Sequence, residues 1–173
     1  MNQNTAASSD IQEEGESVYL MVGDLYFGNQ AREVKTLLGS CVAITLWHKE
    51  HGIGGMCHIA LPETRIDTPD PMNTRFADGA INTFIKYIAE IDLQPKNFTV
   101  GLYGGGQMFH YRDKESYIDI GAKNLAITKR LLSLHRFRIV EEDVSGPFYR
   151  HICLDLKTGK TTLKKTPVRE TMD

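Results

Sequence analysis

Cys41 and His58 stand near the two ends of the stretch GSCVAITLWHKEHGIGGMCH, residues 39–58. A thiol held beside an imidazole is a nucleophile with its proton partner. A lone cysteine has a pKa of about 8.5 and is mostly thiol at neutral pH, whereas an adjacent imidazolium favours the thiolate. CVAITLW alternates small or polar with larger apolar side chains, and GIGGMCHIAL resumes after HKEH, which is the pattern of a β-hairpin. With the turn centred between Lys49 and Glu50, Cys41 and His58 face each other directly, their Cβ atoms about 4.5–5.5 Å apart. A slip of one residue would send them to opposite faces, and a slip of two would leave them diagonal but within reach. Gly39 and Ser40 allow close backbone approach and can aim peptide N–H groups at a developing oxyanion. Thr36, just upstream, can orient the imidazole through its hydroxyl or carbonyl, as the third member of a triad does.

Other readings compete at each of these positions. Free cysteine is among the most buried residue types, so on spacing alone a strand cysteine belongs to the core more often than to a site. Cys57 and His58, with Cys41, His48 and His51 nearby, also offer enough donors for zinc. Strand alternation opposes that, because consecutive residues point to opposite faces, and Cys57 is therefore assigned to the core. His48 and His51 are expected as exposed turn residues, His110 and His135 as solvated or at element ends, and Cys153 as a buried strand residue. The run Gly104 to Gly106 lacks the Gly-Lys-Ser/Thr of a phosphate loop and has no acidic residue at dinucleotide spacing. A tight turn that admits another backbone is the better reading.

The elements that must position this pair follow from the rest of the chain. Its 173 residues, 41% hydrophobic, suit one domain with a real core. Twenty basic against twenty-two acidic side chains leave no polybasic field for nucleic acid or an anionic membrane. There is no run of about eighteen apolar residues and no secretory leader pattern at the N-terminus. Three widely spaced cysteines without CxxC fit a reducing compartment, so the expected location is the cytoplasm. Residues 1–16 are polar and are expected as a disordered tail, residues 17–168 as the domain, and 169–173 as a short C-terminal tail. SVYLMVGDLYFG and EVKTLLGS predict two strands before the hairpin. Apolar residues from Ala77 to Ile91 at helical spacing predict a helix over about 74–91. NFTVGLY predicts a strand, GAKNLAITKRLLSLHRF a second helix, and FRIVEEDV and FYRHICLDLKTGKTTLKKT three closing strands, the last two parted by Lys-Thr-Gly-Lys. The result is a mixed α/β, or α+β, domain of strands with two intercalated helices.

LLGSCVAITLW followed by GGMCHIALP resembles the signature of the CheD family, the chemoreceptor glutamine deamidases. TRFADGAINTFIKYI, LYGGGQMF, IDIGAKNLAITKRLL and TGKTTLKKT resemble its later blocks in the same order, from about Val18 to Val168. The resemblance implies a layered sandwich of mainly antiparallel strands with two principal helices. It also implies a nucleophile at Cys41, a catalytic histidine at His58, and a family threonine at Thr36, with Lys35 at the neighbouring position. The implied reaction is hydrolysis of glutamine side-chain amides in the cytoplasmic helices of methyl-accepting chemotaxis receptors, without metal or organic cofactor. A CheC-type phosphatase is implied as a further partner. The alternatives are a docking module that binds receptor or phosphatase without turnover, and a cysteine peptidase or transferase with the same pair. The sequence departs from the family at GGGQM, where Gly-Gly-Ala is usual, and at DVSGPFYRH, which stands for a Gly-Gly-containing turn.

Overall fold

The computed structural model describes residues 15–64, 67, 70–109 and 118–169. His110, most of the expected N-terminal tail and residues 170–173 lie outside them. The elements run β1 (Ser17–Leu20), β2 (Leu25–Gly28), β3 (Glu33–Leu38), β4 (Val42–His48), β5 (Ile53–Ile59), α1 (Ala77–Glu90), β6 (Thr99–Gly104), α2 (Ile120–Leu134), β7 (Ile139–Val144), β8 (Phe148–Asp155) and β9 (Thr161–Pro167). One sheet has the order β1-β3-β8-β9 and the other β2-β5-β4-β6-β7. β1 with β3 and β6 with β7 are parallel, and the other pairings are antiparallel. This is the expected α+β sandwich of mainly antiparallel strands.

Alternation along β4 and β5 builds the layers. Val42, Ile44 and Leu46 with Cys57 and Ile59 face one way and pack under α1 and α2, around Ile81, Phe84 and Leu132. Ala43 and Met56 face the other way and meet Leu38, Ile152 and Leu154 of the first sheet. Both faces of the five-stranded sheet are therefore covered, which is why β4 and β5 are buried almost throughout.

Three element boundaries differ from the sequence expectation. SVYLMVGDLYFG forms two strands instead of one. Gly23 at φ +83° sits in a turn closed by the Asp24 N–H donating to the Met21 carbonyl, and the two halves join different sheets. α1 begins at Ala77 instead of near residue 74, because the Arg75 carbonyl accepts from the Ala60 and Leu61 N–H groups and Phe76 closes a turn onto Asn73. α2 ends at Leu134, where Arg136 at φ +64° breaks the helical path. Its start is set by Asp119, whose carboxylate accepts the Ala122 N–H at 2.9 Å.

Candidate functional site

β5 pairs with β4 so that Ala43, not Cys41, stands opposite His58. The expected register is thus off by two residues. His48 continues the strand to pair with Ile53, which moves the turn to Lys49–Gly52, with Gly52 at φ +58° supplying the left-handed step. His48 is accordingly buried, not exposed. Its ring lies edge-on to Phe98 with centroids 5.3 Å apart, and its Nδ1 accepts the His51 N–H. A shift of two preserves the face. Cys41 lies just before β4, diagonal to His58, and packs half-buried against the cluster between the sheets.

β3 lies across that gap. Its even-numbered residues point inward, and Thr36 brings its Oγ1 within 2.7 Å of His58 Nδ1 while donating its proton to the Leu20 carbonyl at 2.8 Å. A hydroxyl has one proton and a carbonyl can only accept, so Thr36 accepts from the imidazole. His58 is therefore protonated on Nδ1, and the lone pair of the neutral ring sits on Nε2. Thr36 and His58 are both almost wholly buried. Lys35, the neighbouring alternative, points to the outer face and pairs with Glu33 at 2.8 Å. The end of β5 is held by the β1–β2 turn, as the His58 N–H donates to Asp24 and its carbonyl accepts from Gly23.

Burial pushes the Cys41 thiol up, and burial pulls the His58 imidazole below its ordinary value against the opposing pull of the Asp24 charge. Both directions favour the uncharged forms, so the resting pair is thiol and imidazole, not thiolate and imidazolium. Cys57 is pushed up to about 12 by burial on the helix side of the sheet, the core position expected of it. The donors of the zinc reading therefore do not converge: Cys57 faces away from His58, and His48 and His51 sit at the far end of the hairpin. Cys153 is on β8 but half-buried on the outer face of its sheet, its Sγ 3.2 Å from Glu33 Oε2. His135 caps the C-terminus of α2.

The segment before Cys41 is gripped by the triple glycine. Gly105 donates to the Cys41 carbonyl at 2.8 Å and Gly106 to the Gly39 carbonyl at 2.9 Å. A Cβ on Gly104 would lie 2.2 Å from the Cys41 oxygen, so the loop admits another backbone, as its sequence suggested. Among the described residues, the Ser40 and Cys41 N–H groups have no backbone partner. The two departures from the family pattern meet each other here. Ser145 donates to the Gly104 carbonyl, and Gln107 to the Gly146 carbonyl. The sequence assigned no role to Leu20, whose carbonyl sets the Thr36 proton, or to Asn124 of α2, whose Nδ2 is 3.1 Å from the Ala60 carbonyl and 3.5 Å from the Ser40 carbonyl. Contacts between a side chain and a distant backbone carbonyl leave no local pattern in a sequence.

The fold is a two-sheet α+β sandwich whose sheet interface sets Thr36 against His58 on the face that Cys41 shares. The sequence model of the CheD family, described as CheD chemotactic sensory transduction, matches residues 60–165, and the chain belongs to that family. The match begins beyond His58, whereas full-length relatives align over most of the chain. A protein of Chromobacterium violaceum named probable chemoreceptor glutamine deamidase CheD 1 is 30% identical over 90% of this chain and 81% of its own length. Proteins of Clostridium botulinum and Methanococcus maripaludis, both named probable chemoreceptor glutamine deamidase CheD, are each 35% identical. They span 87% and 83% of this chain and 94% and 92% of their own lengths.

Proposed function

We propose that this protein is a chemoreceptor glutamine deamidase that acts in the cytoplasm on the helical domains of methyl-accepting receptors, with Cys41 as nucleophile, His58 as acid and base, and Thr36 as the group that orients His58. The observation that carries this reading is the Thr36–His58 hydrogen bond, which frees Nε2 on the sheet face that Cys41 shares. Because burial favours the neutral pair, His58 Nε2 takes the thiol proton as Sγ attacks the glutamine carboxamide carbon. The carbonyl oxygen becomes an oxyanion, received by the N–H groups of the Gly39–Cys41 segment. His58 returns the proton to the departing nitrogen, ammonia leaves, and a γ-glutamyl thioester remains. Water, deprotonated by the same imidazole, cleaves the thioester to glutamate and restores the thiol. Met21, Val22, Leu61 and Ile118 expose apolar side chains on segments adjoining the site, which suits a protein helix better than a small amide. A CheC-type phosphatase would regulate the enzyme by covering the same face.

The test is intact-mass analysis of a receptor helical fragment after incubation with the protein. Wild type should convert amide to acid at glutamines, and a fragment with those glutamines replaced by alanine should be unchanged. Cys41→Ala should retain its fold and lose conversion entirely, while Cys153→Ala should keep it. Binding without any mass change in the wild type would make the protein a docking module, and conversion by Cys41→Ala would remove the nucleophile assignment.

A further inference from the structure

Asn124 is fully buried on the second turn of α2, the layer opposite the cysteine's own side of the sheet. Its Nδ2 protons go to two carbonyls, Ala60 at 3.1 Å and Ser40 at 3.5 Å. Ser40 immediately precedes Cys41, and Ala60 is two residues beyond His58, so one amide ties together the strand ends that carry both groups. Its Oδ1 is buried with no partner among the described residues. An apolar side chain here would leave the Ala60 and Ser40 carbonyls without this donor, whereas the asparagine's own Oδ1 is met by nothing among the described residues. The donor half of the amide is what the position uses.

The Ser40 carbonyl and the Cys41 N–H belong to one planar trans peptide, and they point in opposite directions. A carbonyl held towards Asn124 therefore turns the Cys41 N–H away from α2, towards the side on which the thiol packs. We propose that Asn124 is a positioning residue that fixes the Ser40–Cys41 peptide so that the Cys41 N–H serves as an oxyanion donor. The helix that carries it is seated against the same segment: a Cβ on Gly121 would lie 2.5 Å from the Gly105 oxygen, and Gly105 donates to the Cys41 carbonyl. This proposal rests on Cys41 being the nucleophile, but not on which amide the protein hydrolyses.

Two reagents separate this role from a structural one. Acylation of Cys41 by p-nitrophenyl acetate passes through a tetrahedral oxyanion, whereas alkylation by iodoacetamide displaces iodide at a saturated carbon and forms none. With Asn124→Ala, the acylation burst should slow about tenfold or more, since loss of an oxyanion donor typically costs 10²–10³-fold. Alkylation should stay within about twofold. Asn124→Asp keeps the shape but sets carboxylate oxygens against two carbonyls, and should show the same split even if the alanine variant fails to fold. Equal slowing of both reactions, slowing of neither, or a wild-type Cys41 that alkylates but never acylates would overturn the proposal. Failure of the deamidase reading would be seen separately, as a wild type that acylates normally yet leaves receptor fragments unchanged.

Discussion

Thr36 holds a single hydroxyl proton and gives it to the Leu20 carbonyl, so the direction of its contact with His58 is forced. Thr36→Val would fill the same space but leave His58 Nδ1 buried without an acceptor, and both tautomers would then compete. Turnover at neutral pH should fall by about tenfold or more, short of the ~10⁴-fold loss seen when a buried triad carboxylate is neutralised, while Thr36→Ser stays near wild type. The pH profile of kcat/KM is the measurement. In wild type its acid limb should lie below the ordinary histidine value of about 6.5, because burial lowers the His58 pKa. The sign for stability is the same. The folded value is below the unfolded one, so this contribution is complete above about 6.5 and is lost as pH falls through the lower folded value. An acid limb at or above the ordinary value would contradict a buried, neutral base.

At the scale of elements, the site depends on a stack of three backbones: the Gly39–Cys41 segment, the glycine loop, and the first turn of α2. Gly121→Ala would place a methyl group 2.5 Å from the Gly105 oxygen and 2.8 Å from the Gly106 oxygen, and rigid backbone cannot yield as a side chain can. The expected loss is about 1–3 kcal/mol of stability, together with most of the deamidase turnover as α2 lifts from the loop. Gly52→Ala is the comparison. It meets nothing within 4 Å, and its φ of +58° costs about 1–2 kcal/mol, with turnover unchanged. Urea unfolding and turnover measured on both variants would separate the two effects, and full activity in Gly121→Ala would show that the stack is not needed. The need for a close approach was visible in Gly-Gly-Gly. Which backbone approaches was not, because Cys41 is far from this loop in sequence.

Across the whole molecule, a buried cation among the described residues links the two sheets. Arg150 of β8 is 1% exposed, and its Nε donates to Asp143 Oδ1 of β7 at 2.9 Å. Another of its nitrogens donates to the Ser145 carbonyl, bracing the turn that docks on the glycine loop. Partial burial raises the Asp143 pKa, but hydrogen bonds from Arg150 and Lys165 outweigh it and hold the carboxyl below its ordinary range. Asp143→Ala would leave the guanidinium buried without its counter-charge. Since Asp143 itself is partly solvated, the expected loss is about 1–3 kcal/mol, less than for a fully buried pair. Glu142→Ala, which breaks an exposed pair with Lys129, should cost under about 1 kcal/mol. Chemical denaturation of the two variants measures the contrast, and equal losses would show that Arg150 needs no carboxylate.

Features that depend on near neighbours were legible before any tertiary contact. The period-two alternation of CVAITLW and GIGGMCHIAL marked the hairpin, and the assumed turn, right in parity, put Cys41 and His58 on one face. The same alternation sent Cys57 to the core, and apolar spacing determined both helices. Two-residue periodicity survives any even slip, so the face was legible while the register was not. The register depended on whether His48 extends the strand, which its packing on Phe98 decides. Tertiary structure alone decided that β1 and β2 part into different sheets, because a strand run carries no mark of its partner. Thr36 was expected at the imidazole, but the direction of that bond, set by the Leu20 carbonyl, and the reach of Asn124 to Ser40 and Ala60 came from the stacking of layers, which the burial of both faces of one sheet sets.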